Sequence, residues 1–271
     1  MNILDKIIEF KAKEVAERSS LVPTKLLERS IYFDSEVVSL KEYITDPEKS
    51  GIIAEFKRRS PSKGLINGSA KPEKVSIGYM QAGASALSVL TDSEFFGGSN
   101  DDLKTARRFN FCPILRKDFV LEEYQIVEAK SIGADAILLI AAALEPQKLK
   151  SLAYFAKSLG LEVLMEVHDG EELDSCLCDG IDLVGVNNRN LKTFEVDIQT
   201  SIDLASSIPD SFVKVSESGL SEVESLISLK KAGFEGFLIG ENFMKTSRPE
   251  QAAYTFIKDF REALAEQKVS I

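Results

Sequence analysis

The sequence is poor in the residues that mark disulfide-bonded, metal-binding and membrane-spanning proteins. It has three cysteines in 271 residues, an odd number that builds no disulfide framework and is typical of a reducing compartment. Cys176 and Cys178 have only the single histidine, His168, to help them, so we expect no metal site. No run approaches the roughly 18 uninterrupted apolar residues of a membrane span.

The sequence also has fewer basic residues than acidic ones. Lysine and arginine total 33 against 43 acidic residues, for a formal net charge of −10. Such a surface repels nucleic acid and anionic membranes, so we expect neither as a partner. The stretch from Met1 to Ser20 has the spacing of an amphipathic helix and lacks the continuous apolar core of a signal peptide, which favours a cytoplasmic protein.

Short apolar runs recur eight times after residue 50, and segments with helical spacing and charged faces separate them. Five of the helical segments end in a glycine that we expect to cap the helix in the left-handed conformation. The glycines are Gly83, Gly133, Gly160, Gly180 and Gly233. The runs are Ile52–Phe56, Ala86–Leu90, Pro113–Leu115, Ala136–Ala142, Glu162–Val167, Leu183–Val186, Phe212–Val215 and Gly236–Ile239.

Eight strand–helix units predict an α/β fold, a closed (β/α)8 TIM barrel, in preference to an open doubly wound sheet. The nucleotide-binding glycine patterns of the open sheet are absent. We expect residues 1–271 to form one domain, with the barrel at 51–265. Residues 1–50 are predicted to form an N-terminal helical extension, interrupted at Pro23 and Pro47, that packs over an end of the barrel.

Polar residues follow five of the eight predicted strands, at the carboxyl ends where such barrels place their catalytic groups. Glu55 and Lys57 share the parity of the apolar Ile53, so both should face the barrel axis. By the same parity, Lys117 lies on the same side of its strand as Leu115, and Glu166 on the same side as Leu164, so both should also face the barrel axis. Arg58 and Arg59 are expected to be solvated. The alternative is a salt-bridge cluster that only closes the top of the barrel.

The ends of the last two predicted strands are the expected place for a phosphate group. Ser218 and Gly219 precede a helix predicted to open at Ser221, and Gly240 and Glu241 open a turn after the eighth strand. Backbone N–H groups and a helix amino end attract an anion, and glycine lets it approach closely. The alternative is that these glycines only form turns and bind no phosphate group.

Five motifs together resemble the indole-3-glycerol phosphate synthases of tryptophan biosynthesis, over about residues 1–262. They are IIAEFKRRSPSKG from Ile52, LRKDF from Leu115, EVH from Glu166, GVNNRNL from Gly185, and SESG from Ser216. The resemblance implies a carboxy-lyase that needs no cofactor and converts 1-(2-carboxyphenylamino)-1-deoxyribulose 5-phosphate into indole-3-glycerol phosphate, carbon dioxide and water.

The resemblance also implies roles for individual residues. Lys117 is the expected general acid and Glu166 the base, while Lys57 binds the substrate carboxylate and Glu55 orients Lys57. The remaining expected site residues are Asn187, Arg189 and Glu217 for hydroxyl and carboxylate groups, Ser60, Ser218, Gly219, Gly240 and Glu241 around the phosphate, and Phe96, Phe119 and Leu191 against the aromatic ring.

Two other functions remain open on the residues alone. A phosphoribosyl anthranilate isomerase would use the same barrel and an acid–base pair, but the Glu-x-Lys pair of the first strand would be surplus. A non-catalytic phosphosugar-binding protein would need none of the carboxylates. In each case the partner is a small anionic phosphosugar, and we expect a monomer, with a weak dimer as the alternative.

Overall fold

The computed structural model describes residues 2–191 and 193–269. Eight parallel strands close into a barrel, each paired with the next along the chain and the last with the first. The strands are β1 (Ile52–Phe56), β2 (Ala86–Leu90), β3 (Ile114–Lys117), β4 (Ala136–Ile140), β5 (Glu162–Val167), β6 (Leu183–Asn187), β7 (Val213–Glu217) and β8 (Gly236–Ile239). The predicted (β/α)8 barrel with a helical extension is confirmed.

Twelve α-helices of the described residues surround the barrel or cover its ends. They are α1 (Ile3–Leu21), α2 (Thr24–Leu27), α3 (Leu40–Thr45), α4 (Pro72–Gln81), α5 (Asn100–Phe109), α6 (Glu123–Ser131), α7 (Pro146–Ser158), α8 (Gly170–Cys176), α9 (Gln199–Leu204), α10 (Val223–Lys231), α11 (Glu241–Met244) and α12 (Pro249–Val269). A short hairpin, Arg59–Ser60 with Gly64–Leu65, follows β1. No helix of the described residues is long and apolar enough to cross a membrane.

The alternation of side chains along the strands produces two apolar layers. One row, which includes Ile53, Leu115 and Leu164, packs together inside the barrel. The other, which includes Ile52, Ala54 and Phe56, packs against the surrounding helices. Because a strand of a parallel sheet is buried on both faces, the eight strands are apolar almost throughout. The predicted parity of the strands is therefore confirmed.

Three strands end later than the apolar runs predict. β3 reaches Lys117, β6 reaches Asn187 and β7 reaches Glu217. Pairing with at least one neighbouring strand continues the ladder past the last apolar residue, so the polar side chains sit on the strands themselves. This matters for function, because a strand holds a side chain more rigidly than a loop does.

Four of the five predicted glycine caps are left-handed, with φ between 77° and 97°. Gly180 is the exception, so that prediction is wrong. A Cβ at Gly180 would lie 3.0 Å from the Cβ of Ala153 and 3.1 Å from the backbone nitrogen of Tyr154. The glycine there allows a close approach to α7 and does not serve a left-handed turn.

The N-terminal extension reaches both ends of the barrel, whereas the prediction placed it over one. Helix α1 starts with a capping box between Asn2 and Asp5 and lies at the carboxyl ends of the strands. At the opposite end, Leu40 and Ile44 of α3 pack into the interior layer of the barrel. Met1, where the predicted first helix began, and residues 270–271 of the predicted domain lie outside the described residues.

Buried carboxylates tie the extension to the amino ends of the strands. Asp135 accepts a hydrogen bond from the backbone nitrogen of Val38 at 2.8 Å, and Glu162 accepts one from that of Lys41 at 2.9 Å. Ser39 donates to Glu162 at 2.5 Å. Burial raises the pKa of both carboxyl groups above the ordinary range. This end of the barrel is consequently closed, and a site can form only at the other.

Candidate active site

A cavity of about 470 Å³ opens at the carboxyl ends of the strands. All fifteen predicted site residues form its wall, so the whole predicted set is brought to one end of the barrel. The wall residues are Glu55, Lys57, Ser60, Phe96, Lys117, Phe119, Glu166, Asn187, Arg189, Leu191, Glu217, Ser218, Gly219, Gly240 and Glu241.

Lys117 stands between two carboxylates at the centre of the cavity. Its Nζ donates to Glu166 Oε2 at 2.8 Å and to Glu217 Oε2 at 2.5 Å. The three side chains come from β3, β5 and β7, so they meet only because the barrel closes. An ammonium group between carboxylates from separate strands is fixed in position before a substrate arrives, which is the arrangement that electrostatic catalysis requires.

The charges of this cluster shift the pKa values of its members in different directions. Burial lowers the pKa of Lys117, but the neighbouring carboxylates Glu166 and Glu217 outweigh burial and raise it above the ordinary value. Burial raises the pKa of Glu166, but Lys117 and then His168 bring it down to about 2. Glu166 is therefore ionised, and Lys117 is charged, throughout the neutral range.

Glu217 behaves differently from Glu166, although both contact Lys117. Burial raises the pKa of Glu217 to about 7, and the negative charges of Glu166 and Glu55 act in the same direction. Its Oε1 atom has no hydrogen-bond partner among the described residues. Gly185 on β6 makes room for this oxygen, since a Cβ at Gly185 would collide with it.

A second ion pair lies on β1. Lys57 Nζ is 2.9 Å from Glu55 Oε1, and Glu55 Oε2 accepts a hydrogen bond from Ser88 at 3.3 Å. Glu55 is almost fully buried, whereas Lys57 is half-buried and reaches the cavity. Gly240 packs directly on Glu55, where a side chain would clash. Two ammonium groups, Lys57 and Lys117, consequently face one cavity together with three carboxylates.

The polar residues after β6 extend this network. Asn187 donates from Nδ2 to Glu166 Oε1 at 3.0 Å, and its own Oδ1 accepts from the backbone nitrogen of Arg189 at 3.0 Å. The guanidinium of Arg189 lies 3.6 Å from Glu241 Oε2. Asn187 thus fixes the carboxylate of Glu166, and Arg189 adds a positive charge at the rim.

The expected phosphate end has an unusual backbone. Ser218 and Gly219 are both left-handed, with φ of 69° and 75°. Helix α10 begins at Val223, two residues later than the predicted start at Ser221, while Gly240 is the N-cap of α11. Lys63 lies 3.8 Å from Glu241 Oε1. The Glu241 side chain therefore turns toward Arg189 and Lys63, which leaves the backbone of residues 240–242 at the cavity.

Aromatic side chains form the apolar wall. The rings of Phe96 and Phe119 lie 6.0 Å apart between centroids, within the range of favourable aromatic pairing. Leu191 and Phe194 come from the loop after β6. These apolar side chains line the same cavity as the backbone of residues 218–219 and 240–242, so the cavity suits a molecule with an aromatic part and an anionic part.

Several cavity residues were not predicted. Ile3, Leu4 and Ile7 of α1 line the wall, and so does Lys245 at the end of α11. The helical period of α1 does predict that Leu4 and Ile7 share a face, but a period does not say which part of the fold that face covers. Lys245 lies outside the strand ends on which the prediction rested.

One prediction about an individual cation is wrong. Arg58, expected in solvent, is paired with Asp102 of α5 at 2.6 Å and 2.8 Å and also donates to the backbone oxygen of Gly97. A second cation, Lys11 of α1, for which the sequence gave no individual prediction, is only 1% exposed. Its Nζ lies 2.9 Å from both Asp92 and Asp118.

Comparison with known proteins decides the family. The family description for indole-3-glycerol phosphate synthase matches residues 4–256. The chain belongs to the indole-3-glycerol phosphate synthase family. A family member from Bacteroides thetaiotaomicron is 49% identical over 95% of this chain and 98% of its own length. One from Bordetella pertussis is 42% identical over 92% and 96%, respectively.

A solved structure titled "Native KDPGal structure" has the same fold, with a TM-score of 0.58 over 79% of this chain and 96% of that one. At 17% identity this likeness concerns the fold alone. Indole-3-glycerol phosphate synthases are lyases of tryptophan biosynthesis, and the expectation from the five sequence motifs is confirmed. The sequence range of the match includes both α1 and the barrel.

Proposed function

We propose that the cavity converts 1-(2-carboxyphenylamino)-1-deoxyribulose 5-phosphate into indole-3-glycerol phosphate, carbon dioxide and water, with side chains alone as catalysts. The observation that carries this proposal is the placement of Lys117 between Glu166 and Glu217, on the cavity that Lys57 also faces. A ring closure followed by a dehydration needs at least one acid and one base at a single carbon skeleton.

Ring closure is assigned to Lys117. An aryl carbon attacks the ketone of the substrate, and negative charge develops on the ketone oxygen. The raised pKa of Lys117 does not prevent it from donating, because an alkoxide is a still stronger base than an amine. In a cavity shielded from water, a preorganised ammonium also stabilises that charge electrostatically.

Loss of carbon dioxide then restores the aromatic ring, and dehydration follows. Glu166 takes a proton from carbon, while Lys57 protonates the departing hydroxyl group. Because Glu166 and Lys117 are hydrogen-bonded at 2.8 Å, the proton that Glu166 accepts can return to Lys117. Two protons are donated and one is recovered, so a turnover that starts from the substrate carboxylate consumes one proton from solvent.

Substrate binding follows the polarity of the cavity. Lys57 and Arg189 suit the carboxylate, Phe96, Phe119 and Leu191 suit the aromatic ring, and Glu217 and Asn187 suit the hydroxyl groups. Ser60, with the backbone at Ser218, Gly219, Gly240 and Glu241, suits the phosphate. Glu55 holds Lys57 charged and in place.

The two alternative functions find less support. An isomerase would have no use for Lys57 and Glu55 beside an existing acid–base pair, and a phosphosugar-binding protein would have no use for three buried carboxylates. We also propose that the enzyme acts in the cytoplasm, as a monomer or at most a weak dimer, without nucleic-acid or membrane partners.

The test is an assay for indole fluorescence with the carboxyphenylamino substrate. We expect product from the wild-type enzyme and a loss of about 100-fold or more in kcat for Lys117→Met, since one positioned proton transfer is worth at least that much. Lys148→Met, which changes an exposed lysine of α7, serves as the matched control. Wild-type turnover of Lys117→Met, or no indole from the wild type, would contradict the proposal.

A further inference from the structure

His168 is the single histidine of the chain and stands just beyond β5, two residues after Glu166. Its side chain does not line the cavity and has no place in the chemistry described above. It nevertheless lies beside Glu166, one residue past the end of β5. Its Nε2 atom is buried, has no hydrogen-bond partner among the described residues, and lies 3.8 Å from Glu166 Oε1.

The other side of the ring is fixed by Glu172 of α8. Glu172 Oε2 lies 3.2 Å from His168 Nδ1 and also accepts a hydrogen bond from the backbone nitrogen of His168 at 2.7 Å. Glu172 is in turn held by the N-cap of the helix, because its backbone nitrogen donates to Asp169. A carboxylate only accepts hydrogen bonds, so it keeps a proton on Nδ1 and leaves Nε2 to face Glu166.

The protonation state of Nε2 therefore determines what Glu166 meets. In the imidazolium form an N–H group points toward the carboxylate. In the neutral form a lone pair points toward Glu166 Oε1, and two acceptors oppose each other. The carboxylate already receives Lys117 on Oε2 and Asn187 on Oε1, so His168 occupies the remaining side.

The charges around His168 favour the imidazolium form. Glu172 faces it from α8, Glu166 from its own strand and Glu217 from β7, while the cation Lys117 of β3 lies on the far side of Glu166. Burial lowers the pKa of His168, but the hydrogen bond to Glu172 and the three carboxylates outweigh burial and raise it. The titration of His168 thus moves upward from the ordinary pKa near 6.5.

We propose that His168, oriented by Glu172, is a positioning residue for Glu166 and makes the dehydration step depend on pH. The proposal rests on the role of Glu166 as the base. As imidazolium, His168 holds the Glu166 carboxylate in the direction of the cavity. When pH rises through the pKa of His168, the hydrogen-bond donor and the charge on that side are lost. Glu166 then keeps only Lys117 and Asn187 as donors, so its carboxylate is held less firmly in the direction of the cavity.

The first experiment needs no activity. Because the chain has one histidine, the proton NMR spectrum contains a single Cε1–H resonance to follow from pH 5 to 9. We expect the pKa to lie above the ordinary value in the wild type and to fall in both Glu166→Gln and Glu172→Gln. Glu171→Gln, an exposed neighbour on α8, is the matched control and should change it far less. An unchanged histidine pKa in Glu166→Gln would overturn the proposal.

The second experiment uses the pH profile of kcat. The wild type should lose kcat as pH rises through the histidine pKa found by NMR. His168→Ala should lower kcat roughly ten- to a hundredfold with little change in KM, because Glu166 is misplaced and ground-state binding is not affected. His168→Gln, whose amide can still donate toward Glu166, should recover most of kcat and no longer show the alkaline fall.

These results separate the proposal from the assigned activity. A wild type that forms no indole contradicts the activity, whatever the histidine titration shows. A wild type that forms indole with the same pH profile in His168→Ala contradicts the positioning role alone. A purely structural role for His168 would lower the melting temperature of the alanine variant and leave the shape of the pH profile unchanged.

Discussion

At the scale of single residues, the balance of charge in the cavity decides which groups are acids and which are bases. Glu55, Glu166 and Glu217 face Lys57 and Lys117, so the cluster has one carboxyl group more than it has ammonium groups. An unpaired buried carboxylate is costly, and its pKa rises until it takes up a proton. Glu217 is that group, with a pKa raised by burial to about 7.

The excess carboxyl group has a consequence for stability. Between the ordinary value of 4.5 and about 7, folded Glu217 holds a proton that the unfolded chain releases. The free energy of unfolding contributed by this group is therefore greatest in acid and declines as pH rises through that range. Glu217→Gln should remove the decline, because the amide is neutral at every pH and still accepts from Lys117.

Chemical denaturation at pH 5.5 and pH 8.5 measures the effect. We expect the gain of Glu217→Gln over the wild type to be roughly 2 kcal/mol larger at pH 8.5 than at pH 5.5, at about 1.4 kcal/mol for each pKa unit between pH 5.5 and the raised pKa of about 7. Glu195→Gln, an exposed acid in the loop after β6, provides the control. The assignment fails if the two variants respond to pH in the same way.

At the scale of elements, buried ion pairs attach α1 to the catalytic end of the barrel. Lys11 reaches Asp92 after β2 and Asp118 after β3. Asp118 also accepts from Thr91 at 2.6 Å and lies 3.3 Å from Arg116, which is itself paired with Glu128 of α6. Arg116 and Asp118 flank Lys117 in the sequence, so the network that holds α1 also holds the strand that presents the acid.

Removal of the Lys11 charge should be strongly destabilising. Asp118 and Asp92 raise the pKa of Lys11 above its ordinary value against the effect of burial. In Lys11→Met, Asp92 would lose its cation and Asp118 would keep only Arg116. Breaking one side of a buried ion pair costs about 3 to 5 kcal/mol. Lys13→Met, in the same helix, loses only an exposed pair with Glu9 and should cost no more than about 0.5 kcal/mol.

The two α1 variants are compared by urea unfolding at one pH. Equal stabilities of Lys11→Met and Lys13→Met would show that the buried pairs add nothing to the attachment of α1. If the attachment also positions Lys117, folded Lys11→Met should have a lower kcat than Lys13→Met at the same temperature. The kinetic comparison is made at a temperature well below the unfolding transition of both variants. A lower kcat then reflects the folded enzyme and not a fraction of unfolded chains.

At the scale of the whole molecule, an enzyme with a net charge of −10 is proposed to bind an anion. Lys57, Lys63, Arg189 and Lys245 gather around the cavity, whereas the acidic excess is spread over the surface. Screening confines each charge to about 8 Å at physiological salt, so an approaching substrate is governed by the cations close to the cavity. The global charge governs solubility and repels other polyanions.

The dependence on salt tests this local field. We expect kcat/KM to fall as potassium chloride rises from low to high ionic strength, with kcat nearly constant, because screening weakens attraction and leaves the bound chemistry unchanged. Lys63→Gln should make the fall shallower, since it removes one cation from the rim. A value of kcat/KM that does not vary with salt would rule out electrostatic attraction by this rim.

The barrel and most of its cavity were predictable because a strand's period of two and its apolar run are local properties. Those patterns place Glu55, Lys57, Lys117 and Glu166 on the axis side of their strands. Local patterns failed for Arg58 and Gly180 and gave no individual prediction for Lys11. Each depends on a partner distant in the chain: the aspartates at 92 and 118, Asp102, and the backbone of α7.

The sequence by itself therefore determined the order of elements, the face that each strand presents to the axis, and the family. Only the tertiary structure decided which charges meet: that Lys117 is shared between Glu166 and Glu217, that Glu217 keeps a proton near neutrality, and that His168 stands behind Glu166. The reason is physical. Parity is set by the backbone of a single strand, whereas an electrostatic interaction depends on distances that are fixed only when the barrel closes.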